Sequence, residues 1–262
     1  YPRTDSRALP EDYIPTVKKT MEMLKESNAY VVHAKNVLKN QWVKPNKRIF
    51  DNTKISDHFA IIPTLLAPKA LSEIEQKVYD LVVKRFLAVF HPSAEFMQTT
   101  RITEVEGHLF KTEGKVLVAP GWLAVYGREI AGEDENLIAV AAGEKVKTET
   151  IEARGTQTKP PARYSEATLL SAMEGAGKLV EDEELRAAMD QKGLGTPATR
   201  AAIIEGLIKE EYVHRNGREL VPTPKAFSLM FALRHFGVTE LASPELTGEW
   251  EYKLKEMEKG RL

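Results

Sequence analysis

The sequence of 262 residues contains no cysteine. That absence excludes disulfide bridges, a thiol nucleophile and a cysteine zinc ribbon, and it suits a reducing cytoplasm. Long apolar runs are also missing. None approaches the roughly 20 residues that a membrane-spanning helix needs, so no membrane partner is expected. The chain opens Tyr1-Pro2-Arg3-Thr4-Asp5-Ser6-Arg7, without an initiator methionine or a signal peptide, so a segment upstream of Tyr1 is expected. Excess charge of one sign is lacking overall, since the net charge is −1. Taken whole, that balance does not suggest nucleic acid. No internal repeat is found. Glu133-Asp134-Glu135 and Glu181-Asp182-Glu183-Glu184 read as solvated loops, so no metal site is expected within the chain.

What is present fits a folded protein. Hydrophobic residues make up 42% and charged residues 29%, which argues against disorder of the whole chain. The length fits two or three domains. Charge is uneven along the chain. Residues 1–92 carry 15 Lys+Arg against 10 Asp+Glu, residues 93–154 carry 7 against 11, and residues 155–262 carry 15 against 17. The positive excess therefore sits in the first third, where a phosphate backbone would be attracted.

The expected architecture is α+β and multidomain, with mostly helical segments at 1–92 and 158–262 flanking a β-rich segment at 93–157. Pro10 to Glu26 places Ile14, Val17, Met21 and Leu24 on one helical stripe. Lys35 to Arg48 is basic around Trp42, and Pro45-Asn46 breaks it. Ser72 and Glu75 form a capping-box pattern before a helix with Ile74, Val78, Leu81, Val82, Phe86 and Leu87 on its apolar face. Phe96–Glu106, Leu109–Val118, Trp122–Tyr126 and Lys145–Arg154 read as strands. An acidic loop is expected over Gly132–Asn136, and Gly155–Ala162 reads as a hinge. Helices are expected from Ser165 to Glu174, from a first turn at Pro197 to Lys209, over Thr223–Phe236 and over Pro244–Lys259. Tyr212–Val221 reads as a hairpin turning at Asn216-Gly217.

Three stretches carry candidate chemistry. In the first, a tyrosine phenol has a pKa of about 10 and needs nearby positive charge to act as a nucleophile, which Arg3 supplies for Tyr1. The alternative is a polar turn with an Asp cap. The second is Ser56-Asp57-His58-Phe59-Ala60-Ile61-Ile62-Pro63-Thr64. His58 there is either a packed structural histidine or a donor to a phosphate. The third is Lys192-Gly193-Leu194-Gly195-Thr196-Pro197-Ala198-Thr199-Arg200, preceded by Arg163-Tyr164-Ser165. A glycine-rich loop entering a helix presents free N–H groups to phosphate, though it also serves as a plain turn.

In this order, Tyr-Pro-Arg-Thr-Asp-Ser-Arg, Asp-His-Phe-Ala-Ile-Ile-Pro-Thr and Gly-Leu-Gly-Thr-Pro-Ala-Thr-Arg-Ala-Ala-Ile-Ile-Glu closely resemble the type IA DNA topoisomerases. The wording of the first two is closer to the bacterial topoisomerase III branch. The resemblance runs from Tyr1 to about Phe236. It implies a helical domain bearing the active-site tyrosine, a β-rich arch and a helical DNA-binding domain with a winged-helix-like part. It implies a catalytic set of Tyr1 as nucleophile, Arg3 on the scissile phosphate, His58 beside it and Asp5 orienting His58. It also implies single-stranded DNA held by Arg7, Arg163, Gly193, Gly195, Thr196, Thr199 and Arg200. Where other members carry a serine, this chain has Ala198. The family's magnesium is held by a Toprim domain that precedes the tyrosine, and no position here corresponds to it. The resemblance thus leads to the expectation of a segment that binds single strands without relaxing DNA by itself. Helicases or single-stranded-DNA-binding proteins are its expected partners, and the cytoplasmic nucleoid is its expected location. The alternatives are a non-catalytic single-stranded-DNA-binding module and a winged-helix regulator, the latter suggested by 197–236 alone.

Overall fold

A computed structural model describes residues 4, 6–55, 57–127, 137, 140–189 and 193–261. Contacts divide the chain into two units, Tyr1–Arg154 and Gly155–Leu262, a division that falls at the head of the 155–162 hinge.

The first unit is built on α1 (Ile14–Lys25), α2 (Val31–Lys39) and α3 (Glu73–Phe90). A 3-10 turn, Glu11–Tyr13, occupies the start expected for α1. Val17, Met21 and Leu24 of α1 are buried against Ala34 and Val37 of α2 and Val83, Phe86, Leu87 and Phe90 of α3. Each such fully buried side chain contributes about 1.5–3 kcal/mol. Tyr30, just before α2, donates its hydroxyl to Asp80 of α3 at 3.2 Å. Burial first, and then the Asp80 charge, push that phenol up to about 12. Ser72 and Glu75 form the expected capping box at the start of α3. The apolar face of α3 divides in two: Phe86 and Leu87 are buried, whereas Ile74, Val78 and Leu81 are 75%, 56% and 65% exposed.

Two long antiparallel strands follow, β1 (Glu95–Val105) and β2 (His108–Ala119), in register from Phe96↔Leu117 to Val105↔His108. Their turn is Glu106-Gly107, with φ of 48° and 78°. Two positive φ values give the twist that a two-residue hairpin needs. Trp122–Tyr126, expected as a strand, is instead part of a 3-10 helix, Gly121–Tyr126. The reason is local. Gly121 has φ +49°, a Cβ there would overlap the backbone of Pro92 and Ser93, and Trp122 N–H donates to the Pro92 carbonyl at 2.9 Å. The chain is thus clamped to the end of α3. Lys145–Arg154 is not a strand either: it is exposed throughout, and no strand among the described residues pairs with it. The expected acidic loop over 132–136 lies outside the described residues.

The second unit contains α4 (Glu166–Glu174), α5 (Glu183–Met189), α6 (Arg200–Lys209), β3 (Val213–Asn216), β4 (Glu219–Pro222), α7 (Pro224–His235) and α8 (Glu245–Glu258). Ser165 caps α4 and Thr223 caps α7. The acidic stretch read as a loop at 181–184 starts α5 instead. Asp182 accepts the N–H groups of Glu184 and Leu185, both at 2.9 Å, as an N-cap does. Gly248 of α8 lies against Leu185 and Met189, so α5 and α8 pack closely. Pro197 falls in a turn before α6, which begins at Arg200. The β3–β4 hairpin forms, but its turn residues are Gly217-Arg218, since Asn216 pairs with Glu219. Gly217, with φ +59°, takes the first turn position.

The divided face of α3 makes a direct prediction. Leu87→Ala is expected to destabilise the first unit by about 2–5 kcal/mol, because it opens a cavity. Ile74→Ala, at an exposed position, is expected to stay within about 0.5 kcal/mol of the parent. Urea unfolding of the two variants measures the contrast, and equal losses would place Ile74 in a core.

Candidate active site

Tyr1, Arg3 and Asp5 lie outside the described residues, as does Ser56. Their immediate neighbours are well placed. The Thr4 hydroxyl donates to the His58 carbonyl at 2.8 Å. The Ser6 hydroxyl donates to the Lys54 carbonyl, also at 2.8 Å. Leu9 and Phe50 form an isolated parallel bridge. In it, Leu9 N–H donates to Ile49 O at 2.7 Å and Asp51 N–H donates to Leu9 O at 3.0 Å. Ala60 N–H donates to Ala8 O at 2.8 Å. The segment after Tyr1 is therefore stitched along 49–60, and His58 lies opposite Thr4, the residue between Arg3 and Asp5.

Local sequence explains why His58 faces outward. Phe59 packs its ring on Tyr13 at 4.7 Å, and Ala60 and Ile62 rest on the core. The apolar neighbours anchor the segment while His58 itself stays exposed, so the packed-histidine reading does not describe it. Arg7 is exposed on the same segment.

Sequence reasoning missed the support beneath. Asp51 is 8% exposed and accepts from Thr53 N–H at 3.1 Å and Thr53 Oγ1 at 2.6 Å, while Lys54 Nζ lies 3.0 Å away. These bonds fold the turn that offers the Lys54 carbonyl to Ser6. The signal was available: Asp followed two residues later by Thr is a side-chain-to-backbone turn pattern. The Thr53 hydroxyl, then Lys54, hold the Asp51 carboxyl down from 3.8 to about 2. A depressed carboxylate stabilises the fold above its ordinary pKa, and that stability is lost as pH falls through the folded value.

In the second unit the glycine-rich loop is held from within. Gly193 and Gly195 have φ of +63° and +65°. Gly193 is buried, a Cβ there would overlap the Met173 and Glu174 carbonyls, and Leu194 N–H donates to Met173 O at 2.8 Å. Thr199 Oγ1 accepts Thr196 N–H at 2.9 Å and lies 3.2 Å from Thr196 Oγ1, closing the turn into α6. Both threonines are exposed. Arg200 is 8% exposed, and its Nε and Nη2 donate to the Leu194 and Gly195 carbonyls at 3.0 and 3.1 Å. Its guanidinium folds the loop. Arg163 is exposed, next to Tyr164, whose carbonyl accepts Leu220 N–H at 2.7 Å beside β4.

Two outcomes follow from these geometries. Asp51→Asn is expected to lower the thermal midpoint at pH 7, with the gap to the parent closing between about pH 4 and pH 2 as the parent carboxyl takes up its proton. A gap that does not change with pH would show that Asp51 acts only by shape. Arg200→Lys keeps the charge but cannot span two carbonyls as a planar fork, and is expected to cost about 1.5–3 kcal/mol in urea unfolding. A neutral effect would mean that the loop does not depend on the guanidinium.

Comparison with known proteins covers the whole chain. The family model described as DNA topoisomerase matches residues 1–262. DNA topoisomerase 3 of Bacillus licheniformis is 40% identical over 274 residues, covering 100% of this chain and 37% of that protein. Its Bacillus subtilis counterpart is 39% identical over 275 residues, with the same coverage. Full-length topoisomerase I from Thermotoga maritima superposes with a TM-score of 0.66 at 24% identity, over 99% of this chain and 38% of that one, a likeness of fold. This chain spans 37% of the length of these curated relatives. The anchored motif segments, the α+β architecture and the match over 1–262 lead to one assignment: the chain belongs to the DNA topoisomerase family.

Proposed function

We propose that this chain is the segment of a type IA topoisomerase of the topoisomerase III kind that supplies the nucleophile and part of the groove for one DNA strand. The observation that carries the reading is the hydrogen-bonded stitching of the segment after Tyr1 to the segment bearing His58. It sets an exposed imidazole across from the backbone between Arg3 and Asp5. In this reading the Tyr1 phenol oxygen attacks phosphorus and the bond from phosphorus to the sugar 3′-oxygen breaks. The DNA 5′-phosphate is then joined to Tyr1, and the phenolic proton is transferred to the departing 3′-oxygen. Arg3 and His58 neutralise charge on the phosphate, and Asp5 orients His58. Phosphoryl transfer asks a protein chiefly for such positioning and charge. Reversal reseals the strand after another has passed, without ATP.

Among the described residues no group of three or more His, Asp or Glu could hold a metal ion. The reading assigns magnesium to a Toprim domain outside this span. Arg7, Arg163, Thr196, Thr199 and the Gly193–Gly195 loop would contact single-stranded DNA, with Arg200 holding the loop in shape. No described helix is long and apolar enough to cross a membrane. The proposal places the parent at the cytoplasmic nucleoid, working with a helicase or a single-stranded-DNA-binding protein.

The test uses the complete parent and a DNA strand labelled at its 3′ end. Denaturation during cleavage is expected to trap label on the protein, and Tyr1→Phe is expected to abolish it. His58→Ala is expected to slow cleavage about a hundredfold or more, the usual cost of one charge-stabilising donor. A trapped adduct that survives Tyr1→Phe would overturn the assignment.

A further inference from the structure

A cavity of about 700 Å³ in the first unit has a described lining that includes none of the residues assigned above. Trp42, His33 and His91 line it, with Asn36, Lys84 and Tyr126 around them. The end of α2 builds one wall. Trp42 N–H donates to Val37 O and Gln41 N–H donates to Leu38 O, both at 3.1 Å, with Gln41 at φ +54°. That left-handed turn is normally left to glycine. It brings the Trp42 ring back to within 5.0 Å of the His91 ring, at a tilt of 58°. His33 meets His91 edge-on at 5.5 Å.

The cavity is aromatic inside, and the stretch of sequence that supplies His33 and Trp42 is basic. Burial lowers the pKa of both histidines, which favours their neutral rings. His91 Nδ1 lies 2.8 Å from the Leu87 carbonyl and donates to it, which leaves Nε2 with a lone pair. That Nε2 is buried without a hydrogen-bond partner. Lys84 is paired with Asp80 at 2.8 Å. Among the described residues, none that lines the cavity is acidic. Outside it, residues 27–50 carry Lys35, Lys39, Lys44, Lys47 and Arg48, all exposed, and no Asp or Glu. A ligand suited to this place is flat and uncharged where it enters the cavity and anionic where it leaves it. A nucleotide within a strand has that distribution, and aromatic side chains bind bases of any sequence by stacking.

We propose that this cavity receives one nucleobase of a single DNA strand, stacked on Trp42 beside His33 and His91, with the neighbouring phosphates against the cations of 27–50. The proposal rests on the single-strand reading above and adds to it a second contact, distant in sequence from the glycine-rich loop.

The test compares a fluorescent oligothymidylate with an abasic strand of equal length and charge. The unsubstituted chain is expected to bind the thymidylate more tightly. Trp42→Leu is expected to reduce that preference about tenfold, as loss of one base stack does, while leaving the affinity for the abasic strand and its salt dependence unchanged. A thermal melt of the variant checks that it folds. A second measurement needs no substitution: a strand carrying 5-iodouracil is photocrosslinked to the unsubstituted chain and the attachment sites are mapped. Crosslinks at Trp42, His33 or His91 support the proposal. If the chain binds thymidylate but Trp42→Leu keeps the full preference and crosslinks map elsewhere, the cavity proposal falls and single-strand binding stands. If the chain binds neither strand, the single-strand reading falls with it.

Discussion

Leu9 and Phe50 make a short parallel bridge, and three backbone hydrogen bonds around it join residues 8–9 to residues 49–60. Everything proposed for the active site depends on that seam. A side chain is held at an active site only if the backbone beside it is tied down. Here the tie is made through buried groups. Ala8 and Leu9 are 1% and 3% exposed, and Phe50 is 3% exposed, so water does not compete for these bonds. Thr4 and Ser6 extend the seam outward with side-chain hydroxyls. The hydrogen-bonded seam therefore runs from the core out to Thr4.

Much of the fold is legible in the sequence where local chemistry and burial agree. Ser72 and Glu75 announce α3, and Thr223 announces α7, because capping is read within a single turn. Legibility fails where a distant partner decides. Trp122–Tyr126 has the aromatic and β-branched content of a strand, but Gly121 and the carbonyl of Pro92 fold it into a 3-10 turn. Lys145–Arg154 alternates, yet a strand requires a second strand and none among the described residues pairs with it. The apolar stripe of α3 is correct in spacing, while Ile74, Val78 and Leu81 remain at the surface of this chain. Periodicity shows which residues share a face; it does not show what covers that face.

The candidate sites divide along the same line. The motifs name His58 and the Gly193–Gly195 loop, but not Asp51, whose turn pattern with Thr53 is common and gains weight only once Thr53 and Lys54 are seen to converge on it. Arg200 shows the opposite case. An arginine at the mouth of a glycine-rich loop reads as a phosphate ligand, yet its side chain is buried and bonded to the loop's own carbonyls. Positive φ at Gly193 and Gly195 exposes those carbonyls, and a planar guanidinium is the group that satisfies two of them at once. The same economy recurs at Gln41 and Glu211, where non-glycine residues accept left-handed turns to end α2 and α6.

Amide hydrogen exchange of the chain, resolved by residue, measures the seam most directly. The account predicts that Leu9, Asp51 and Ala60 amides are protected to the same degree as core amides of α1, since breaking their bonds requires opening the first unit. Exchange of these three as fast as the exposed backbone of 145–154 would contradict it, for then nothing would hold the residues after Tyr1 against those around His58.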